Sequence, residues 1–208
     1  MSLTRLLELV APQAGDTLVF LGDYIDRGPA SREVIESLIE LSRHHKTVFL
    51  RGNHEVMMLE ARNDALKANL WGAVGGFEAL ISYDAEYDTD WPSKIPAAHW
   101  QFLDETKPYF EATNHIFVHG CLDADIDLEA QSDTTLYWER IDTMRPHKSG
   151  KQVVCGHTPQ HSGEILDRGF AVCIDTAAVS HGWLTCFDAV TKKWWQANER
   201  RETRSGAT

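Results

Sequence analysis

Four short apolar runs in the chain each stop at a side chain able to bind a metal ion. Residues 18–21 lead into Gly22-Asp23-Tyr24-Ile25-Asp26-Arg27-Gly28, and residues 48–50 into Arg51-Gly52-Asn53-His54-Glu55. Residues 116–118 lead into His119-Gly120, and residues 153–155 into Gly156-His157-Thr158-Pro159. Short β-branched or aromatic runs bounded by glycine predict buried strands. In open α/β sheets, ligands gather in the loops beyond the carboxyl ends of such strands. An Asp, an Asn and two His delivered to one sheet edge offer the mixed oxygen and nitrogen donors that suit a transition metal.

Taken singly, each residue has an ordinary account. Aspartates are common in turns such as the one at Gly28-Pro29. A lone histidine is more often a satisfied structural residue than a ligand, and His157 stands where a strand end needs a cap. Four such motifs in this order remove those accounts together.

The same motifs resemble the calcineurin-like metallophosphoesterases, and within them the phosphoprotein phosphatase branch, which holds Ser/Thr phosphatases and symmetrical diadenosine tetraphosphatases. The resemblance spans roughly residues 1–190. It implies an α/β fold, a four-layer sandwich of two mixed sheets flanked by helices. It also implies two divalent ions (Mn, Fe, Zn or Ni) that share a bridging Asp and activate a hydroxide nucleophile. By motif, Asp23 is the bridge, and Asn53, His119 and His157 complete the second ion's ligands. Two ions about 3.5–4 Å apart clamp a phosphoryl group, and a shared carboxylate offsets their repulsion.

The family's pattern gives the neighbours roles as well. Arg27 faces substrate, where a guanidinium matches phosphate oxygens bidentately. Arg140, in Leu136-Tyr137-Trp138-Glu139-Arg140, stands where the family places a second phosphate contact; a solvated helix arginine is the alternative. His54 is the general acid for the leaving alkoxide, oriented by Asp26. Glu55 is expected to pack under the loop and Arg51 to pair with an acid below the sheet. Asp175-Thr176 resembles a late Asp-Thr-Gly-Ala motif, with Ala177 in place of Gly. His161 and His181 fit no motif spacing and are left as rim or core residues. Trp183, Trp194 and Trp195 read as core and rim aromatics.

The elements that must position these groups follow from pattern. Leu3, Leu6, Leu7 and Val10 have helical spacing, closed by Pro12. Ser31 is the expected cap of a helix with Val34, Ile35, Leu38, Ile39 and Leu41 on its apolar side. Strand, helix and the strand at Val48 form a βαβ unit with parallel strands. Residues 56–110 turn helical and irregular and are expected as a cap or rim inside one domain over residues 1–197. Residues 184–187 and 193–195 predict an antiparallel pair turning at residues 189–192, and residues 198–208 a frayed polar tail.

The bulk properties set the class. The 208 residues are 43% hydrophobic and 25% charged, with a formal charge of −11. That composition excludes a disordered or fibrous chain, and the charge disfavours nucleic-acid polymers and anionic membranes as partners. A small phosphorylated protein site or nucleotide remains compatible, since bound metal reverses the local field. Cys121, Cys155, Cys173 and Cys186 lack Cys-x-x-Cys spacing, which points to free thiols and a cytoplasmic setting. No apolar stretch reaches membrane-span length, and no signal-peptide pattern is visible.

One departure from the family matters. The family opens with a central strand ending in Asp-x-His-Gly, and no Asp-x-His occurs in this sequence. The expectations are therefore a start placed late or a reduced relative, a missing first central strand, one fully liganded ion, weak activity, and self-association or a borrowed segment to cover the gap. The functional expectation is a Ser/Thr protein phosphatase. Glu55 leans toward that reading, since it stands where dinucleotide enzymes more often carry Asp; the alternatives are a diadenosine tetraphosphatase or other nucleotide phosphohydrolase, and an inactive pseudoenzyme that binds phosphorylated partners.

Overall fold

In the computed structural model, which describes residues 2–86 and 88–208, the first elements are helix α1 (Ser2–Val10), strand β1 (Thr17–Phe20), helix α2 (Ser31–Ser42) and strand β2 (Lys46–Phe49). Four helices follow: α3 (Asn53–Ala61), α4 (Ala65–Trp71), α5 (Phe77–Ser82) and α6 (Ala97–Asp104). Strands β3 (Tyr109–Glu111) and β4 (His115–Val118) precede helix α7 (Asp133–Trp138). The remaining strands are β5 (Gln152–Cys155), β6 (Leu166–Asp167), β7 (Ala171–Cys173), β8 (Leu184–Phe187), β9 (Lys193–Ala197) and β10 (Thr203–Ala207). These elements form two units, residues 17–107 and residues 1–16 with 108–208.

In residues 17–107 the βαβ expectation holds: β1 and β2 pair in parallel, from Thr17 opposite Lys46 to Phe20 opposite Phe49. Helix α2 makes the crossover and buries Ile35 and Leu38 on one stripe, as helical spacing requires. Phe20, Tyr24, Phe49 and Phe102 form an aromatic cluster, with Phe49 and Phe102 centroids 4.9 Å apart. Trp71, Trp91 and Trp100 form a second. Helices α4 and α5 are joined by one wide turn at Gly72–Gly76, where Gly75 leaves helical geometry at φ 128°.

The other unit is built on a mixed five-stranded sheet in the order β3-β4-β5-β7-β6. Its three central strands run parallel, and their side chains are the most completely buried: Ile116, Val118, Val153, Val154, Ala171 and Val172. A parallel sheet strand covered on both faces reads as a continuous apolar run, which is why these strands are visible in sequence. Strands β8, β9 and β10 form a separate antiparallel sheet, and α1 packs on β8 and β9. Among the described residues no helix is long and apolar enough to cross a membrane.

The C-terminal segment does not fray. Thr203–Ala207 pairs with β9 along its length. Arg204 anchors it: the guanidinium lies 4.6 Å from the Trp183 ring centre, and it donates to the Gly163 carbonyl and to the buried Gln196 side-chain oxygen. A polar composition hid an edge strand whose faces are filled by arginine stem and tryptophan rather than by aliphatic residues. Arg204→Ala leaves the Gln196 oxygen without that donor, at about 1–3 kcal/mol. For a chain of this length the expected loss in thermal midpoint is roughly 2–4 °C per kcal/mol. An unchanged midpoint in a calorimetric scan would show that β10 adds nothing.

Candidate active site

Within residues 17–107, one buried carboxylate ties the loop after β1 to the loop after β2. Glu55 is fully buried and accepts main-chain N–H bonds from Gly52 (2.8 Å), Asp23 (2.8 Å) and Tyr24 (2.7 Å). Its bond back to Gly52 is half of a helix capping box. Burial pushes the Glu55 carboxyl up to about 7, with the Asp23 charge adding and the N–H bonds opposing. A Cβ at Gly52 would lie 2.6 Å from the Asp23 nitrogen and 2.8 Å from Glu55 Oε2, so only glycine fits beneath the clamp. The Tyr24 hydroxyl closes the same seam by donating to the Leu50 carbonyl at 2.7 Å. Glu55 thus does pack under the loop. Arg51 does not pair with an acid: it donates to the carbonyls of Leu103, Asp104 and Thr106 and to Thr106 Oγ1, supplying donors that the end of α6 lacks.

This seam sets Asp23, Asp26, Arg27, Asn53 and His54 on adjoining loop ends. Asp23, Asp26 and Arg27 all have left-handed backbone, at φ 57°, 77° and 59°. Asp23 is exposed, and its Oδ1 accepts the His54 main-chain N–H at 3.3 Å. Asn53 and His54 are buried in the first turn of α3. His54 Nδ1 and Asp26 Oδ2 are 2.5 Å apart with both side chains nearly inaccessible. Burial pulls the imidazole down, but the bond to Asp26 and the Asp23 and Asp26 charges outweigh it and hold His54 above its ordinary value. Burial raises Asp26, against the opposing bonds from His54 and Trp71. Each of the two groups therefore holds its proton more tightly than it would in water.

Two residues given no part in the site by the sequence pattern complete this pair. The Trp71 indole donates to Asp26 Oδ2 at 2.8 Å, and Ser31 Oγ accepts the Asp26 main-chain N–H at 3.1 Å. Ser31 is not a cap: it is the first residue of α2, whose N-cap is Ala30, and its hydroxyl is used by Asp26 instead. Asp26 Oδ1 is buried with no partner, a cost of about 1–3 kcal/mol of the kind found at functional carboxylates. Arg27 is exposed, yet its position is fixed: its main-chain N–H donates to Gly75 (3.0 Å) and its Nε to Val74 (3.2 Å). A Cβ on Gly75 would lie 2.5 Å from Arg27 Cγ. The kink between α4 and α5 exists where the arginine lies across it.

In the other unit, His119 and His157 extend from the ends of neighbouring strands β4 and β5. His119 Nε2 and His157 Nδ1 are 3.2 Å apart. Two imidazole nitrogens bound to one ion at about 2.0–2.1 Å and a near-tetrahedral angle lie about 3.3 Å apart, so this pair fits a shared metal. His157 is held at φ 59°, and its Nε2 lies 3.1 Å from the Trp138 carbonyl. The segment after α7 is pinned twice, since Gly120 donates to Leu136 (2.8 Å) and Ile141 to Thr158 Oγ1 (3.1 Å). Arg140 sits between those pins, exposed and outside the helix, which ends at Trp138. Arg140 is thus a solvated arginine, though not a helical one.

The remaining sequence candidates fall elsewhere. His161 is exposed, and His181 pairs with Glu199 at the surface (2.7 Å). Trp183 and Trp194 lie against Arg204. Thr176 donates to the Trp183 carbonyl, and Ala177 takes the left-handed conformation (φ 59°) that the family's glycine adopts freely.

Comparison with known proteins bears on the chain as a whole. The family model described as calcineurin-like phosphoesterase matches residues 2–191. Serine/threonine-protein phosphatase 1 of Salmonella typhimurium is 30% identical over 202 residues, covering 89% of this chain and 84% of that protein. An asymmetrical bis(5'-nucleosyl)-tetraphosphatase of Anoxybacillus flavithermus is 27% identical over 194 residues, covering 82% and 74%. Among solved structures, a putative diadenosine tetraphosphatase superposes with a TM-score of 0.63 at 20% identity, covering 99% of this chain and 87% of that one. A cold-active protein-tyrosine phosphatase of a Shewanella species superposes with a TM-score of 0.65 at 14% identity, covering 98% and 76%. The likeness of fold and the span of the family match lead to one conclusion: this chain belongs to the calcineurin-like phosphoesterases, a family of metal-dependent hydrolases.

Proposed function

We propose that the chain is a phosphoric monoester hydrolase of the Ser/Thr protein phosphatase type. The observation that carries this reading is the buried His54–Asp26 pair with Arg27 beside it. Asp26 occupies Nδ1 and leaves Nε2 as the nitrogen that meets a leaving oxygen. A monoester releases an alkoxide, which needs such a donor. Arg27 and Arg140 hold the phosphate. Asp23, Asn53, His119 and His157 are the metal ligands in this reading, and the 3.2 Å imidazole spacing supports it. The ions would supply Lewis-acid polarisation and a nucleophile at neutral pH. The 30% relative named as a Ser/Thr phosphatase supports the substrate class. Buried free thiols at Cys121, Cys155 and Cys173 suit the cytoplasm.

A second reading, hydrolysis of dinucleoside tetraphosphates, is favoured by the 27% relative of that name. Product analysis on phosphopeptides and on diadenosine tetraphosphate separates the two. A protein that binds metal and phosphopeptides but turns over neither substrate, nor p-nitrophenyl phosphate, is a binder and not an enzyme.

The ligand set predicts that elemental analysis of the purified protein finds a transition metal, and that His119→Ala and His157→Ala each lose it. Retention of metal by both variants rejects these ligands. The acid assignment predicts that His54→Asn lowers kcat for an alkyl phosphate by roughly 10²–10⁴. The loss should be smaller with an aryl phosphate, whose leaving group needs little protonation; equal losses would give His54 another role. Arg27→Ala should raise KM as well. Gly75→Ala should behave as a milder Arg27→Ala, raising KM several-fold, because its Cβ occupies the place of the Arg27 stem. A wild-type KM in Gly75→Ala would show that the kink does not position the arginine.

A further inference from the structure

The helical segment that turns Trp71 inward also carries apolar side chains outward. Leu66, Leu70, Val74 and Ile81 are 69%, 62%, 43% and 46% exposed, while Trp71 and Ala79 on the opposite side are 1% and 0%. Intervals of four residues keep Leu66, Leu70 and Val74 on one face; past the kink at Gly75, Phe77 (39% exposed) and Ile81 follow on α5. A helix that is apolar on both sides is ordinarily covered on both. The exposed apolar area of the stripe is on the order of 400 Å², the size of patch that on soluble monomers is often functional. Its middle residue is part of the arginine seat: the Val74 carbonyl takes the Arg27 Nε, and the Gly75 carbonyl its main-chain N–H.

We infer that Leu66, Leu70 and Val74 form a substrate-docking ridge, for a phosphorylated protein segment with apolar side chains within about four residues of the phosphorylated one. This rests on the phosphatase reading above. Three observations select that occupant. The ridge is continuous with the arginine that reading assigns to phosphate. Its area falls well short of the roughly 800 Å² per partner of a stable association, which favours a transient substrate over a second copy. Its length from Leu66 to Val74, roughly 12 Å at 1.5 Å per residue, suits about four residues of extended chain at 3.3 Å each. A chain of formal charge −11 disfavours strongly acidic segments.

The test uses the manganese-loaded full chain and two phosphopeptides that differ only in carrying Leu or Gln two to four residues from the phosphoserine. Wild type should show at least tenfold higher kcat/KM for the Leu peptide. The double variant Leu66→Gln, Leu70→Gln should lose that preference while keeping its p-nitrophenyl phosphate turnover and its thermal midpoint. Fluorescence anisotropy with the same labelled peptides should show the same discrimination in binding, so the ridge is tested even if turnover is absent. Equal handling of the two peptides by wild type overturns the ridge but leaves the phosphatase reading intact if p-nitrophenyl phosphate is hydrolysed. No hydrolysis of any phosphate ester, with peptide discrimination retained, overturns the phosphatase reading and keeps the ridge. Two further results overturn the docking role. One is a variant defect confined to diadenosine tetraphosphate. The other is a dimer, in sedimentation, that the variant dissolves without any change in peptide preference.

Discussion

Everything that residues 17–107 present to a ligand depends on the three N–H bonds accepted by Glu55. The N–H groups of Asp23 and Tyr24 after β1 and of Gly52 after β2 converge on its two oxygens. A carboxylate has two oxygens and about four acceptor sites, enough for three converging donors from Gly52, Asp23 and Tyr24. No neutral side chain of that size offers as much. Sealing a carboxylate inside a protein is costly unless it is hydrogen-bonded in this way. The bonds do two things at once, since they satisfy the loops and set the backbone from which Asp23 and His54 project.

A common arrangement runs through both units. Residues suited to chemistry are steadied by the main chain or by side chains of a different element. Asp26 is held from α2 by Ser31 and from α4 by Trp71. Arg27 lies across the kink between α4 and α5, and His157 is fixed by the carbonyl that ends α7. Main-chain partners cannot rotate away, so such sites have little rotamer freedom to lose when a ligand arrives.

The parts of this architecture that could be read from sequence are those with local signals. Continuous apolar runs revealed β1, β2, β4 and β5, and each proposed ligand follows its run within three residues. The βαβ unit followed from strand, helix and strand alone. What stayed hidden depends on distance. Trp71 lies 45 residues from Asp26 in sequence, and nothing in its surroundings marks an indole as a carboxylate donor. Ser31 was visible as a helix-start residue, but its hydroxyl is committed to a loop five residues away. Arg51 found carbonyls where an acid was expected, because a helix end offers unsatisfied acceptors that no side-chain pattern shows. Strand β10 was masked by its composition, its anchoring being one arginine over tryptophan.

The left-handed backbone at positions 23, 26 and 27 limits which residues can occupy them, quite apart from chemistry. Aspartate is among the few residues besides glycine that enter this region readily. At 23 and 26 one residue type therefore meets a conformational demand and a chemical one together. Alanine scanning would confound the two at these sites, since it removes the carboxylate and the residue's tolerance for the turn in one step. Asparagine separates them, keeping shape and turn tolerance while deleting charge. Arginine has no such natural ease at φ 59°, and its conformation is secured by the bond to the Gly75 carbonyl. The repertoire at position 27 is thus set from a residue 48 positions away in the sequence, and homologues that drift at one of the two sites would be under pressure to change at the other.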